Sequence, residues 1–391
     1  MAKEKFKRTS IASTSSLGFD PNWKNIGFLI PIYVFGLFGW PLYLYLGGGI
    51  QWPELAIGFL MYAFSIIGVC VGYHRGFSHR SFKMSPLMKW IAVFCGSSTG
   101  EGSVLSWCAD HRRHHRYEDT ELDPYNVNRS FWWAHMGWIV GSPTTTEFSN
   151  CPDLYREPLL RNQDKFYVPW FLVSSLLFPL LLGFVFDRPL ASLLLAGFTR
   201  LIIVQQFTFM INSYAHYFGR RPYSTEITAK DSLICAIMAS GEGWHNYHHR
   251  FPFDYRNGHR LYHWDPAKWM IYVGQFLGLT RTLIRTPQAE IYRARLQTQR
   301  AKWSLEDHPH LEKISDRMDE ALQKWQKLSV EWEALKAKKH DDWKVKLRPL
   351  RQKICEARAD YIAAYQNWKF QLNEAIRLGL AAASPDSASS N

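Results

Sequence analysis

Three stretches of this chain carry no charge over lengths that cross a lipid bilayer: residues 26–46 (IGFLIPIYVFGLFGWPLYLYL), 55–73 (LAIGFLMYAFSIIGVCVGY) and 166–186 (FYVPWFLVSSLLFPLLLGFVF). A fourth, residues 189–218, has Arg200 as its one Lys, Arg, Asp or Glu. A helix needs roughly 20 apolar residues to span the hydrocarbon core. Backbone groups in lipid must be satisfied within their own segment, which leaves helices as the natural solution for such runs. The mean hydropathy of −0.23 hides this segregation. The alternative, buried core helices of a soluble protein, does not suit four such stretches. The expected fold is an all-α integral membrane protein with transmembrane helices at about 26–46, 55–73, 166–186 and 189–214 and a helical cytoplasmic head.

Loop charge sets the expected topology. Lys3, Lys5, Lys7, Arg8 and Lys24 precede the first span, and the long segments 74–165 and 219–391 are rich in Lys and Arg. The short connections GGGIQWP and DRP carry one basic residue between them. Positive charge stays inside, so both termini and both long segments are expected in the cytoplasm. The first apolar run is too long and too far from the start for a cleaved signal peptide. Cysteines at 70, 95, 108, 151, 235 and 355 form no CxxC pair and read as buried thiols in a reducing compartment. A net charge of +12 suits anionic headgroups, an anionic substrate or an acidic protein partner. Nucleic acid is not expected, because the basic residues flank membrane segments and no binding motif occurs.

Nine of the 15 histidines fall at four places beside the spans. HRGFSH holds His74 and His79, at the cytoplasmic end of the second span. HRRHH holds His111, His114 and His115, and HNYHH holds His245, His248 and His249. His216 follows Asn212 by one helical turn at the cytoplasmic end of the fourth span. Positions i, i+3 and i+4 share a helix face, so each HxxHH delivers imidazoles to one place. All nine can meet in one layer above the membrane. They exceed what one metal takes and suit two, with four or five ligands each. Imidazole serves iron, copper, zinc and nickel. Zinc sites usually close with four ligands, often cysteines, and no cysteine takes part here. Two irons that handle O₂ are the natural chemical reading. One HxxHH alone is no more than a basic helix turn; the shared membrane face carries the inference.

The pattern HxxxxH, HxxHH, NSYAH, HxxHH, with DPYNVNRSFWWAHMGW and GEGWHNYHHRFPFDYR as flanks, resembles the membrane-bound fatty acyl desaturases, specifically the Δ9 stearoyl-CoA group, over roughly residues 20–297. The resemblance implies two irons held by the nine histidines, with Asn212 reaching one of them through a water. It implies one set of His74, His79, His111, His115 and His248 and another of His114, His216, His245 and His249. It implies a cis double bond, expected at Δ9, made in a saturated C16–C18 acyl chain with O₂ and two external electrons. Asp110, Asp123, Glu242 and Asp254 are candidates for orienting the imidazoles; the plainer reading is solvated surface acids. Stepping back from His74 by α-helical turns places Cys70, Ile66 and Tyr62 on one face, where the resemblance implies the far end of an acyl tunnel. Helix packing is the plainer role.

The chain departs from the group upstream of HRRHH. Ala109 stands where animal acyl-CoA desaturases have a basic residue, and Gly102 where they have an Asn. Arg112, Arg113 and Arg220 are the substitutes considered, and acyl-lipid or carrier-protein-bound chains stand as alternatives to acyl-CoA. No HPGG motif of a fused cytochrome b5 occurs; HPH at 308–310 does not match it. A separate donor is expected, ferredoxin or cytochrome b5 with its reductase, and the basic head suits an acidic partner. A bacterial cytoplasmic membrane is the expected location. Arg200 is expected to face the bundle interior or to snorkel towards a polar layer. Other regiochemistry, a lipid hydroxylase and a histidine-relay metal transporter are the rival functions; the relay requires histidines within the spans.

Residues 298–391 lie outside the resemblance. Leu311, Met318, Trp325 and Trp332 recur every seven residues, with Ile314, Ala321, Leu328 and Leu335 as companions. After a break around KAKKHDDWK and Pro349, a second pattern runs from Leu350 to Leu378. A helical hairpin is expected, ending in a disordered AAASPDSASSN. Donor docking, self-association or membrane contact are its candidate roles, against a plain accessory hairpin.

Overall fold

The computed structural model describes residues 20–141, 146–303, 309–338 and 343–377. Lys3, Lys5, Lys7, Arg8, the start of the HPH run, residues 339–342 of the expected break, Leu378 and AAASPDSASSN fall outside them.

Four helices are long and apolar enough to cross a membrane: α1 (Trp23–Tyr45), α2 (Trp52–Ser78), α5 (Tyr167–Val185) and α6 (Pro189–Tyr217). Between α2 and α5 lie α3 (Pro86–Ser97) and α4 (Val104–Tyr117). After α6 come α7 (His245–Arg250), α8 (Pro266–Phe276), α9 (Gln288–Trp303), α10 (Pro309–Lys338) and α11 (Trp343–Arg377), among shorter turns. Among the described residues, strand is confined to a two-residue antiparallel pair, Lys83–Met84 with Thr280–Arg281. The fold is all-α. Large apolar side chains on the spans stay exposed, among them Phe38 at 66%, Phe59 at 75% and Phe184 at 60%. An apolar belt of that kind matches lipid rather than water.

The two short connections meet at the end of the bundle away from the histidines. There Arg188 donates to Glu54 (2.9 Å) and to the Gly48 and Gly49 carbonyls (3.0 and 2.9 Å). Arg200 is buried in the bundle and donates to the Ser98 and Ala196 carbonyls and to Ser175 Oγ (2.7, 3.0 and 3.1 Å). Its guanidinium thus joins three helices through neutral oxygens, as an interior position requires.

The tail is a hairpin of α10 and α11 on which α9 lies as a third helix. Its core holds Leu311, Ile314, Met318, Ala321 and Trp325 from one heptad row set and Ala357, Tyr361 and Trp368 from the other. Pro349 sits inside α11, in its second turn, and not at the break. In the second turn a proline removes one i→i−4 hydrogen bond, to the residue 345 carbonyl, and crowds that carbonyl, so it marks the helix start at a cost. The cysteines are free thiols, and Cys355 is exposed rather than buried.

Candidate metal centre

A feature invisible to hydropathy positions the first two histidines. From Ile66 to Ser78, α2 is wound as a π-helix, and the His79 amide donates to the His74 carbonyl five residues back (3.1 Å). On an α-helix, residues five apart point about 140° away from each other. With i→i+5 bonds they lie close to one turn apart. The winding therefore brings His74 and His79 to one side, with ring centroids 4.9 Å apart. It also breaks the 3.6-residue register on which the tunnel face was drawn.

The two HxxHH motifs are used in opposite senses. Nitrogens of His74, His79, His111, His115 and His248 lie within 4.8 Å of one another, and so do those of His114, His216, His245 and His249. Helix α4 sends its i, i+4 pair, His111 and His115, to the five-imidazole group and His114 to the other. Helix α7 sends its i, i+4 pair, His245 and His249, to the four-imidazole group and His248 to the first. The groups touch where His115 and His249 stack, centroids 4.2 Å apart. Their membership coincides with the two sets the resemblance implies.

Outer partners fix the ring tautomers. His74 donates from Nδ1 to Glu242 (2.8 Å), His114 to Asp123 (2.9 Å) and His249 to Glu118 (2.6 Å). His216 Nδ1 meets Thr228 Oγ1 (2.7 Å), whose hydroxyl is itself committed to Asp119 (2.7 Å). With the proton on Nδ1, the Nε2 lone pair faces inward. Inward Nε2 atoms nevertheless approach closely: His74–His248 2.9 Å, His79–His111 2.8 Å, His115–His248 2.9 Å, His216–His245 3.1 Å and His245–His249 3.1 Å. At that distance either one nitrogen of each pair carries a proton or a cation lies between them; the buried Nδ1 atoms of His245 and His248 have no partner among the described residues. Two nitrogens each about 2.1 Å from a common ion, at right angles, are about 3.0 Å apart. The buried His114 Nε2 has no hydrogen-bond partner among the described residues. The donor set fits metal.

Electrostatics agree. Burial first, then neighbouring imidazoles, hold His79, His111, His115, His245, His248 and His249 well below the usual histidine range. They are neutral at physiological pH, the form that binds metal. Burial lowers His114 too, but the charge and hydrogen bond of Asp123 outweigh it and raise it. Burial would raise Glu242, yet Arg75 and His74 hold it down at about 2. Glu118 is pushed up to about 7 by burial.

Of the acids named from sequence, Asp123 and Glu242 contact histidines. Asp254 instead accepts from Tyr247 (2.8 Å) and Arg256 (2.8 Å), and so pins the chain after α7. Asp110 faces Arg113 (3.7 Å). Sequence reasoning missed Glu118, although it stands four residues after His114 in the same run. It also missed Thr228 and the buried Arg75, which donates to Glu242 (2.8 Å) and Asp265 (3.1 Å) and so braces the carboxylate behind His74.

A cavity of about 1820 Å³ opens beside the histidines and touches His74, His111, His245 and Asn212. On α2 it touches Cys70 but neither Ile66 nor Tyr62. Ile66 is packed in the core, and the Tyr62 hydroxyl donates to the Met238 carbonyl (3.2 Å). Glu101, Trp107 and Thr208 line it, and so do Lys24, Arg113, Arg116 and Arg129. Trp107 stacks on His111 (4.8 Å, 25°) and donates to Glu101 (3.3 Å), to which Thr208 also donates (3.0 Å). Burial pushes Glu101 up to about 7. Of the basic substitutes, Arg112 is spent on Asp153 (2.7 Å) and the Phe77 and Ser78 carbonyls (2.9 and 3.0 Å). Arg220 is exposed and away from the cavity lining. Ala109 is fully buried in the core. Gly102 lines the cavity at φ +98°, a backbone that disfavours other residues.

Known proteins resemble the chain in sequence. The fatty acid desaturase family profile matches residues 50–295. The chain is 36% identical over 278 residues to a probable acyl-CoA desaturase of Schizosaccharomyces pombe, covering 70% of this chain and 58% of that protein. It is 37% identical over 290 residues to acyl-CoA desaturase 1 of Saccharomyces cerevisiae, covering 72% and 56%. It is 31% identical over 279 residues to the stearoyl-CoA desaturase of Sus scrofa, covering 69% and 76%. The chain thus spans little more than half the length of the yeast relatives. These relatives are eukaryotic and lend no support to a bacterial location. The chain belongs to the fatty acid desaturase family.

Proposed function

We propose that the protein is a membrane-bound acyl desaturase that places a cis double bond, at Δ9, in a C16–C18 acyl chain carried on CoA. The observation that carries this reading is the pair of imidazole groups beside a cavity of about 1820 Å³. His74, His79, His111, His115 and His248 would hold one iron, and His114, His216, His245 and His249 the other, with Asn212 acting through a water. When bound, the irons supply the O₂-dependent oxidising power that an unactivated methylene demands. Glu242, Asp123 and Glu118 keep the Nδ1 protons outward and the Nε2 lone pairs inward. The apolar wall around Trp107, Val69 and Cys70 excludes water and fixes which carbons face the site. Lys24, Arg113, Arg116 and Arg129 offer an anionic carrier group its counter-charges.

The site would lie on the cytoplasmic face, where an acidic donor, ferredoxin or cytochrome b5, meets the basic head. An acyl-lipid substrate is the second reading, favoured by the buried Ala109. Expression in a host followed by mass-spectrometric location of double bonds decides, with His115→Ala as control. Δ9-unsaturated C16 and C18 chains, absent from the control, are expected. Hydroxylated chains or another bond position would overturn the assignment.

A further inference from the structure

The underside of the tail hairpin carries a second polar cavity, separate from the histidines. It encloses about 220 Å³ and is lined by Arg260, Arg295, Arg358, Tyr292, Trp325 and Tyr361, among others. Four segments meet there: the loop before α8, then α9, α10 and α11. Arg260 and Arg295 lie within the family-matched region and Arg358 beyond it.

The charge at this place is unusual within its own helices. Arg293 and Arg300, on either side of Arg295, are each paired with an acid of α10, Asp319 (3.3 Å) and Asp316 (2.7 Å). None of the three arginines that face the cavity forms a close ion pair with a carboxylate among the described residues; Arg295 has only the longer-range attraction of the Asp231 carboxylate. Arg260 donates to the Tyr262 hydroxyl, and the Arg358 guanidinium lies 5.9 Å from the centre of the Trp325 ring. Aromatic rings wall the space: Tyr292 lies 6.0 Å from Trp325 and 5.1 Å from Tyr361. Gathering three like charges around one hollow costs stability unless an anion joins them. Guanidinium forks match phosphate oxygens. The hollow is smaller than the roughly 300 Å³ at which drug-sized sites begin, so it suits a single phosphate group or one end of a larger molecule.

We propose that this cavity is a binding site for a phosphate group, with Arg260, Arg295 and Arg358 as its ligands, through which an anion clamps the tail onto the desaturase domain. The phosphate is either free, as in inorganic phosphate, pyrophosphate or a nucleotide, or part of a phospholipid headgroup. The inference does not rest on the desaturase reading.

The full chain in detergent or nanodiscs, at about 0.15 M salt to screen non-specific attraction, is titrated calorimetrically with phosphate, pyrophosphate and adenosine diphosphate. Short-chain phosphatidylglycerol titrated into the detergent-solubilised chain, against a short-chain diacylglycerol that lacks the phosphate, is the lipid arm. Saturable one-to-one binding in either arm is expected, weakened about tenfold or more by Arg295→Gln and by Arg358→Gln. The arm in which it occurs names the source. Arg358 is exposed, so its variant keeps the test valid if Arg295→Gln does not fold. Absence of saturable binding in both arms, or unchanged affinity in the variants that fold, overturns the site.

Discussion

The five-imidazole group and the four-imidazole group are built from the same motif and held differently. Behind the five, Glu242 orients His74 and is itself braced by Arg75. Behind the four stand two carboxylates, Asp123 and Glu118, and a hydroxyl, Thr228, each on a different ring. The smaller group thus has fewer imidazoles and more outer partners. Outer partners raise ligand basicity and fix ring orientation, so they compensate for a missing ligand. One histidine of each HxxHH crosses to the other group, which ties the two sites into one unit and explains why a single motif serves both.

The largest expected effects come from the imidazoles that hold each group together. His248 Nε2 sits 2.9 Å from those of both His74 and His115, and His245 Nε2 sits 3.1 Å from those of both His216 and His249. His248→Ala and His245→Ala are each expected to abolish product formation, measured as unsaturated chains per unit of folded protein. Activity retained in one of them would break the equivalence of the two groups.

Next come the outer partners. Asp123→Asn, Glu118→Gln and Glu242→Gln are each expected to weaken metal retention or turnover by about 10–100-fold, read by iron remaining after dialysis against a chelator. Two of these variants act on the four-imidazole group and one on the five. If Asp123→Asn and Glu118→Gln leave retention unchanged, the four-imidazole group does not depend on its surroundings as described.

A smaller effect separates the five-imidazole side from the cavity acid next to it. Glu101 is pushed up from the ordinary 4.5 to about 7 by burial. Between those values the folded protein holds a proton that the unfolded chain releases, so stability falls as pH rises from about 4.5 to about 7. Glu101→Gln removes that loss. Its Tm relative to the parent is expected to climb over this window and level off above it. A difference that stays flat with pH contradicts the assignment.

The smallest effect concerns chain length. Ile66→Ala is expected to open the cavity beyond Cys70 and lengthen the preferred chain by one or two carbons. An unchanged product profile would place the tunnel end elsewhere.

The spans, the nine histidines and the tail hairpin were legible because each is a matter of residue type and spacing. The long apolar runs become α1, α2, α5 and α6 within a few residues, and the heptad rows supply Leu311 through Leu328 and Ile354 through Trp368 to the hairpin core, without Trp332, Leu335 or Leu350. What spacing did not reveal is winding. An α-helical register puts His74 and His79 on different sides, and only the π-helix over Ile66–Ser78 joins them. The same winding puts Ile66 behind Cys70 and not beside it on the cavity wall. Arg75 and Thr228 were missed because their roles depend on contacts across more than ten residues of sequence. Asp254 looked like Asp123 in sequence, an acid near a histidine box. The turn after α7 directs it to Tyr247 and Arg256 instead.

The central claim is that nine imidazoles form two linked metal sites, one of five ligands and one of four. Metal analysis of the purified chain tests it most directly. The claim predicts about two irons per chain, with His248→Ala or His245→Ala each losing at least one. One iron or none in the folded parent, or full iron content in both variants, would contradict it.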